Sequence, residues 1–502
     1  MPGGCIAAHL RRRIAAARLA RAVVPALLLY GSACATARAP TPAASPPASA
    51  ANARQGAFLD TLARRTFDFF WETANPRNGL VPDRWPTRSF SSVAAVGFAL
   101  TAYPVGVERG WVTREQARQR VLTTLRFLWE APQGPASAGV TGYRGFFYHF
   151  LDMESGLRFE RVELSTIDTA LLLAGAMVCR EYFDRAEPGD STIRALADSL
   201  YYRVDWRWAQ DDERAVSMGW RPDSAIHQNA RGFIISDWRG YNEGMLLYAL
   251  AIGSPTHAVE PAAWEEWTKT YKWDRFQGQK FVQFAPLFGH QYSHVFIDFR
   301  GIRDAYMRGR GIDYFENSRR ATLSQRSYAI ANPSGWRDYG ADVWGLTASD
   351  GPLDSTIVVD GRRREFHTYW ARGIGTDEMN DDGTLAPTAV GGSVPFAPEV
   401  AIPTLVAMRE RYGDDLFGRY GFIDAFNPTL RTAGPRLQHG RIVAGKAWFD
   451  IDYLGIDQGP IVAMLENHRS GLIWAAIRRN PYVVRGLCRA GFTGGWLADR
   501  CS

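Results

Sequence analysis

The sequence predicts an all-α fold, an (α/α)6 toroid of inner and outer helices with long loops and a small β-hairpin insertion. Two observations lead to this prediction. Helical segments alternate between a charged, amphipathic type and an aliphatic, nearly uncharged type. The aliphatic segments also recur at an almost constant spacing, as expected if each helix pair contributes one inner helix to a ring.

The two types of segment occupy different parts of the predicted toroid. Residues 58–73, 113–129 and 192–206 carry apolar side chains on one helical face and charges on the other, which indicates outer helices. The aliphatic segments are typical of helices buried on all sides and comprise residues 91–105, 166–178, 242–252, 398–408 and 458–466. The first three begin 75 and then 76 residues apart, at the N-cap residue types Ser91, Thr166 and Asn242. We therefore expect these helix starts to meet at one end of the toroid, beneath the loops that precede them.

Residues 355–370 (STIVVDGRRREFHTYW) predict a hairpin that turns at Asp360 and Gly361. The alternative fold is an irregular α-domain with an inserted β-rich segment.

The first 54 residues differ in character from the rest of the chain. Residues 1–34 combine arginines, a short apolar run and small residues before Cys34, which indicates a signal peptide. The pattern resembles a lipoprotein signal, and both lipidation at Cys34 and free export remain open. Residues 35–54 are rich in Ala, Pro and Ser and predict a flexible linker, so we expect residues 55–498 to form a single folded domain.

Charge and cysteine content limit the possible partners. Lys and Arg exceed Asp and Glu by 58 to 52, and six arginines within the first 38 residues account for that excess, so no nucleic-acid partner is expected. The spacing of Cys488 and Cys501 allows a disulfide or two free thiols.

Carboxylates at the predicted helix starts are the main chemical signal. Glu163 and Asp168 lie at the second aliphatic helix, Glu243 at the third and Asp457 at the last, while Asp377 and Glu378 lie in a loop. Acids at helix starts also interact with the helix dipole, worth about 0.3–1 kcal/mol each. Beside uncharged buried helices, however, a carboxylate is costly unless water, a partner or a substrate reaches it.

Glycoside hydrolysis needs such carboxyl groups, because one protonates the leaving oxygen and a second acts as nucleophile or activates water. Sugar rings also stack on aromatic side chains, which gives a use to the 17 Trp and 20 Tyr of this chain. The residues that we expect to bind substrate are Trp238, Tyr241, His290, His294, Trp344, Asp377, Glu378, Trp448 and Asp457.

Several motifs, in order, resemble the glycoamylase-like family, which includes bacterial endo-β-1,2-glucanases and a domain of cyclic β-1,2-glucan synthases. They are ELSTIDTALLLAG, YNEGM, PLFGHQYSH, WGLTASDGP, GTDEMNDDGT and WFDIDYLGIDQGP, and the resemblance covers about residues 58–497. It implies an (α/α)6 fold and hydrolysis of β-linked glucan, in particular β-1,2-glucan. It further implies that Glu243 is the general acid and that Glu163 and Asp168 are essential. For the second catalytic group we rank Glu163 as the first candidate, followed by Asp168, Asp377 and Asp457.

Two other interpretations stay open beside the hydrolase. A polysaccharide lyase would abstract a proton with His290 or Tyr292, and a non-catalytic glycan-binding lipoprotein would need no acid. The spacing of His290 and His294 also fits a metal site, but Gln291 replaces the Glu of a zinc protease motif, so we predict sugar binding, with no metal and no cofactor.

The expected protein is therefore an exported monomer, periplasmic or anchored in a membrane through Cys34, whose partner is an oligo- or polysaccharide.

Overall fold

The structure is a computed structural model that describes residues 48–223, 227–432 and 434–501. The predicted signal peptide, Cys34 and residues 35–47 of the predicted linker lie outside the described residues. Gln55–Ser502 forms one compact unit. Among the described residues, no helix is both long and apolar enough to cross a membrane.

Helices dominate the described residues. In chain order they are α1 (Ala48–Thr73), α2 (Val93–Glu108), α3 (Arg114–Glu130), α4 (Thr166–Tyr182), α5 (Pro188–Tyr202), α6 (Met245–Gly253), α7 (Ala262–Thr268), α8 (Tyr292–Phe296), α9 (Ala305–Arg310), α10 (Tyr314–Ala331), α11 (Pro387–Gly391), α12 (Pro398–Tyr412), α13 (Gly455–Arg469), α14 (Leu472–Ile477) and α15 (Pro481–Arg489). Short 3-10 helices lie at Trp208–Gln210, Leu287–His290, Gly413–Asp415 and Gly495–Leu497. Helix α1 begins at Ala48 and so includes the last residues of the range predicted as linker.

Short strands connect the helices. They are β1 (Arg84–Trp85), β2 (Ser91–Ser92), β3 (Gly142–Tyr143), β4 (Phe146–Tyr148), β5 (Phe150–Leu151), β6 (Leu164–Ser165), β7 (Gly219–Trp220), β8 (Trp273–Phe276), β9 (Gln279–Val282), β10 (Ala348–Ser349), β11 (Ser355–Val359), β12 (Arg362–Phe366), β13 (Trp370–Ala371), β14 (Gly373–Ile374), β15 (Met379–Asn380), β16 (Phe417–Gly418), β17 (Gly421–Phe422), β18 (Phe426–Asn427), β19 (Arg441–Val443), β20 (Ala447–Phe449) and β21 (Tyr453–Leu454).

All strand pairs are antiparallel within the described residues. The sheets are β1-β21, β2-β5, β3-β4-β6-β7, β8-β9, β10-β13, β11-β12, β14-β15, β16-β17 and β18-β20-β19. The predicted hairpin is the β11-β12 pair. The other strands were not expected, so the fold is mainly helical with several small sheets rather than all-α.

The aliphatic composition identified most of the buried helices correctly. All residues of α6 are buried, as are residues 93–106 of α2 and 166–179 of α4. Helix α12 differs, because only one face is buried, at Ala401, Thr404, Leu405, Met408 and Tyr412. The expectation of a fully buried helix at residues 398–408 is therefore wrong; its partly exposed apolar residues hide the amphipathic pattern. The short helix α11, just before it, is buried throughout.

Helices α2 and α4 pack directly against each other. Glycine makes this close approach possible, since a Cβ atom on Gly175 would lie 2.1 Å from the carbonyl oxygen of Gly97. Helix α2 also packs against α13, and α4 packs against α5 and α6.

Short strands lead directly into three of the buried helices. Strand β2 precedes α2, β6 precedes α4 and β21 precedes α13. The side chains of Ser92 and Ser165 cap α2 and α4 by accepting hydrogen bonds from the backbone N–H groups of Ala95 and Asp168. The strand pairs thus hold the loops before these helices in a defined register, which positions the acidic side chains described next.

Candidate active site

Glu243 lies in the turn before α6 and is held there by α8. The hydroxyl of Ser293 donates a hydrogen bond of 2.8 Å to the carbonyl oxygen of Glu243. The same hydroxyl accepts one of 2.9 Å from the N–H of Leu246. These two bonds fix the backbone that carries the Glu243 carboxyl group.

The pKa of Glu243 is raised to about 7. Burial is the larger cause, because it disfavours the charged form, and the negative charge of Asp168 adds to it. This carboxyl group therefore holds a proton at a higher pH than an ordinary glutamate does, as a group that donates protons near neutral pH must.

The register of β4 and β6 places His149 beside Glu163. Tyr148 pairs with Leu164, and the next residue, His149, donates its backbone N–H to the carbonyl oxygen of Glu163 at 2.9 Å. Its ring nitrogen Nδ1 lies 2.8 Å from Glu163 Oε1, and Nε2 lies 3.6 Å from Asp168 Oδ2. One imidazole thus bridges two carboxylates at the start of α4.

This contact changes the ionisation of both partners. Burial opposes the imidazolium form of His149, but the charges of Asp168 and Glu163 outweigh it and raise the pKa of His149 to about 9. Burial likewise opposes the charge of Glu163, yet the hydrogen bond and charge of His149 lower the pKa of Glu163 to about 2, helped by Arg221, 3.1 Å away. Glu163 is therefore ionised throughout the neutral range.

A second pair of carboxyl groups, Asp424 and Asp457, lies at the start of α13. Burial raises the pKa of Asp457 to about 7, although its hydrogen bond with Asp424 acts in the opposite direction. Burial also raises the pKa of Asp424, and the neighbouring charge of Asp457 adds to this. Two carboxyl groups form a hydrogen bond with each other when one is protonated, so this pair shares a proton near neutral pH.

Tyr292 of α8 lies near both Glu243 and the Asp424–Asp457 pair. Its hydroxyl donates a 3.1 Å hydrogen bond to the carbonyl oxygen of Ile456, next to Asp457. Burial raises the pKa of Tyr292 well above its ordinary value, and the charges of Asp457 and Glu243 raise it further. Two adjacent residues of α8, Tyr292 and Ser293, thus contact the segments that carry Asp457 and Glu243, so both carboxyl groups belong to one site.

Beside Asp457 lies a cluster of Asp350, His439, Asp450 and Asp452, whose ligand-type atoms lie within 4.8 Å of one another. This spacing would suit a metal ion. In the structure, however, Nε2 of His439 lies 2.6 Å from Asp450 Oδ1 and 3.4 Å from Asp452 Oδ2. The hydrogen bonds to these two aspartates raise the pKa of His439 to about 10, so its imidazolium supplies the positive charge.

Three of the tryptophans expected to bind substrate are buried. Trp344 and Trp448 have no exposed surface, and Trp238 is 7% exposed. Each indole N–H donates a hydrogen bond within the protein. Trp344 donates to the hydroxyl of Thr404, Trp448 to the carbonyl oxygen of His439, and Trp238 to the hydroxyl of Thr166. The expectation of stacking on sugar is therefore wrong for Trp344 and Trp448, which fill the core: Trp448 lies in the middle strand, β20, of a three-stranded sheet, and Trp344 lies in a buried loop.

His290 and His294 are also completely buried. Nε2 of His290 donates to the carbonyl oxygen of Phe284, and His294 contacts Ser318 through Nε2 at 3.1 Å. Burial lowers the pKa of His290 to about 4, and that of His294 falls as well. Both are neutral core histidines with no surface to offer a sugar, so the sugar-binding expectation is wrong for them too.

Tyr241, Asp377 and Glu378 line a cavity of about 300 Å³. Tyr241 forms its inner wall and stacks on Tyr314, with ring centroids 5.9 Å apart. Asp377 lies at the exposed rim, 2.6 Å from Lys272 Nζ. Because this cavity includes Asn242, it adjoins the turn of Glu243.

Several residues of the site were not expected from the sequence, namely His149, Arg84, Asp350, Asp424 and His439. Arg84 joins them, since its Nη1 lies 2.6 Å from Asp350 Oδ2. The rule that loops before buried helices line the site would have selected Arg84, because it precedes α2. Asp350 lies within the motif WGLTASDGP, whereas His149, Asp424 and His439 lie far from any buried helix start in the sequence, where no local pattern indicates them.

The fold and the site together define a class of protein, namely a mainly helical domain with buried carboxyl groups at the starts of its helices. The chain belongs to the glycoamylase-like family: the family model Glycoamylase, described as "Putative glucoamylase", matches residues 236–481. A crystal structure of a "putative glucoamylase" from Bacteroides uniformis is 31% identical, covers 88% of this chain and 98% of its own, and has a TM-score of 0.75.

Two further relatives have named activities. An endo-β-1,2-glucanase from Chitinophaga pinensis, solved with sophorotriose and glucose, is 28% identical over 88% of this chain and 99% of its own, with a TM-score of 0.73. An exo β-1,2-glucooligosaccharide sophorohydrolase from Parabacteroides distasonis is 28% identical over 462 residues, 86% of this chain. The present chain spans 57% of the length of that relative.

Proposed function

We propose that the protein is a glycoside hydrolase that cleaves β-1,2-glucan with one carboxyl group as acid and another as base. The raised pKa of Glu243, at a site that it shares with Asp457, is the observation that carries this proposal. The names of the two relatives from Chitinophaga pinensis and Parabacteroides distasonis support the choice of substrate.

Glu243 is the proposed general acid. Its carboxyl group, with a pKa of about 7, holds a proton at neutral pH and donates it to the glycosidic oxygen as the bond to the leaving sugar breaks.

For the second group, the ionisation states favour Asp457 over Glu163. Glu163 has a pKa of about 2 and is held by His149 and Arg221, so it binds a proton weakly. Asp457 has a pKa of about 7 and shares a proton with Asp424, which suits a base that takes a proton from water. Attack by water activated in this way inverts the configuration at the anomeric carbon. His149, Glu163 and Asp168 then set the electrostatic field around Glu243.

A lyase mechanism has less support. His290 is fully buried, and burial keeps the pKa of Tyr292 well above its ordinary value, so neither side chain is a good base.

The finer architecture and location belong to the same proposal. Alternation of amphipathic helices such as α3 and α5 with buried helices such as α2, α4 and α6 supports an (α/α)6 toroid. Export, by a signal peptide over residues 1–34 with Cys34 as a possible lipid anchor, is supported by the disulfide between Cys488 and Cys501, a bond that persists in oxidising compartments. We further propose a monomer with a linker over residues 35–47.

The test is incubation of the purified protein with linear β-1,2-glucan, and with β-1,3- and β-1,4-glucan for comparison. New reducing ends from the β-1,2-linked polymer alone are expected. Products that absorb in the ultraviolet would instead identify a lyase, and tight binding without products would identify a binding protein. The variant Glu243→Gln should fold normally and lose at least about 100-fold in rate, whereas Glu260→Gln, at an exposed glutamate, should not.

A further inference from the structure

Trp85 is exposed beside a cavity that the proposed mechanism does not use. The residue is 41% exposed, and the cavity next to it has a volume of about 440 Å³. Within the described part of the chain, its ring makes no contact with another ring or a cation, and its indole N–H makes no hydrogen bond. Trp129, which is 42% exposed, differs because the guanidinium of Arg203 covers its ring at 5.0 Å.

The side chains around this cavity, which we name the Trp85 pocket, are polar and held in place. They include Glu72, Asn75, Arg77, Glu154 and Tyr420. The hydroxyl of Tyr420 donates to Glu72 at 2.9 Å, the amide of Asn75 donates to the carbonyl of Met153 at 2.8 Å, and Arg77 forms an ion pair with Glu154. The pocket is therefore preformed, so a ligand would meet a surface that is already ordered.

The charges of the pocket cancel. Glu154 is paired with Arg77, and Glu72 is paired with Arg419 at 2.7 Å. A strongly charged ligand such as a phosphate would find no net attraction. A neutral ligand rich in hydroxyl groups can instead use the oxygen acceptors of the carboxylates and place an apolar face on the indole ring.

Strand β1 connects the pocket to the proposed active site in the fold. Trp85 pairs with Tyr453 and Arg84 pairs with Leu454, only three residues before Asp457. While Trp85 faces the pocket, Arg84 contacts Asp350 in the acidic cluster beside Asp457. Adjacent residues of one strand thus line the pocket and the site.

We propose that the Trp85 pocket binds glucosyl units of the glucan chain at a distance from the bond that is cleaved, with one sugar ring stacked on Trp85. This inference rests on the proposed function. It makes the enzyme selective for long chains, because a short oligosaccharide that occupies the catalytic carboxyl groups does not reach the pocket.

The experiment compares Trp85→Ala with Trp129→Ala on two substrates, linear β-1,2-glucan and its trisaccharide. For Trp85→Ala we expect KM to rise about tenfold on the polymer, with kcat nearly unchanged and KM on the trisaccharide unaltered. Trp129→Ala should match the unaltered protein on both. Trp85→Tyr, which keeps an aromatic ring, should restore most of the affinity and so exclude a simple folding defect.

Equal KM values for Trp85→Ala and Trp129→Ala on the polymer would overturn the proposal, and so would an equal rise on polymer and trisaccharide. If the unaltered protein cleaves no glucan, the proposed function fails, and calorimetry with the polymer then tests the pocket by itself. Glucan binding that Trp85→Ala weakens and Trp129→Ala does not would support the pocket, whereas its absence would refute it.

Discussion

The imidazole of His149 lies 2.8 Å from the carboxylate of Glu163, and the two side chains form an ion pair at the start of α4. The opposite ring nitrogen faces Asp168, whose charge acts on Glu243. Through this chain of contacts, a histidine that is not itself an acid or base in the mechanism influences the proposed proton donor.

Replacement of His149 should therefore alter the pH profile as well as the rate. In His149→Gln the positive charge beside Asp168 is lost, so the charge of Asp168 acts on Glu243 without compensation and should raise the pKa of Glu243 further. We expect kcat/KM to fall by at least about tenfold and its high-pH limb to move to higher pH. His257→Gln, at a half-exposed histidine, is the control. A rate loss with an unmoved limb would mean that His149 has only a structural role.

The activity of the unaltered protein should decrease at alkaline pH. A general acid works only in its protonated form, and the pKa of Glu243 is about 7. The value of kcat/KM should therefore fall about tenfold per pH unit above that pKa. Initial rates on β-1,2-glucan between pH 5 and pH 9 measure this limb, and a profile that stays flat to the alkaline end would remove Glu243 from the role of acid.

The two members of the Asp424–Asp457 pair should respond differently to amide substitution. Asp457→Asn removes the proposed base and should cost at least about 100-fold in kcat. Asp424→Asn keeps a hydrogen-bond donor to Asp457 and replaces a carboxyl group that the charge of Asp457 keeps protonated, so the loss in kcat should be much smaller. Rates across the acidic range, with the product anomer followed by proton NMR, test this assignment. A larger loss in Asp424→Asn than in Asp457→Asn would reverse the two roles.

The contact between α2 and α4 should tolerate no side chain at Gly175. A Cβ atom there would lie 2.1 Å from the carbonyl oxygen of Gly97, so Gly175→Ala should push the helices apart and lower the free energy of unfolding by about 1–3 kcal/mol. Gly309→Ala is a matched control, because Gly309 lies in α9 with no atom within 4 Å of the added methyl group. That change should be neutral or stabilise by up to about 1 kcal/mol. Chemical denaturation measures the free energy of unfolding of both variants. Equal values for Gly175→Ala and Gly309→Ala would contradict this account of the packing.

Much of the helical framework was predictable from local composition. A run such as residues 242–252, whose only charged residue is Glu243 near its start, can only be stable where it is buried, and α6 is buried completely. The prediction from composition was wrong for α12. Several of its apolar residues are partly exposed, and its buried face is defined by the segments that pack against it. Nor do the two-residue strands that connect the helices leave a periodic pattern in a sequence.

Most of the buried helices and the carboxyl groups at their starts, including Glu163, Glu243 and Asp457, follow from the sequence, because a run of aliphatic residues and a helix N-terminus are local features. Only the tertiary structure decided how these groups ionise. Arg84 reaches Asp350 across 266 residues of chain, and Asp424 meets Asp457 only where β21 enters α13. The tertiary structure also buries Trp344 and Trp448 and leaves Trp85 exposed. Which face of a strand or loop meets the core depends on segments that are distant in the sequence. A pKa depends on the charges within a few ångströms, and folding brings those charges together.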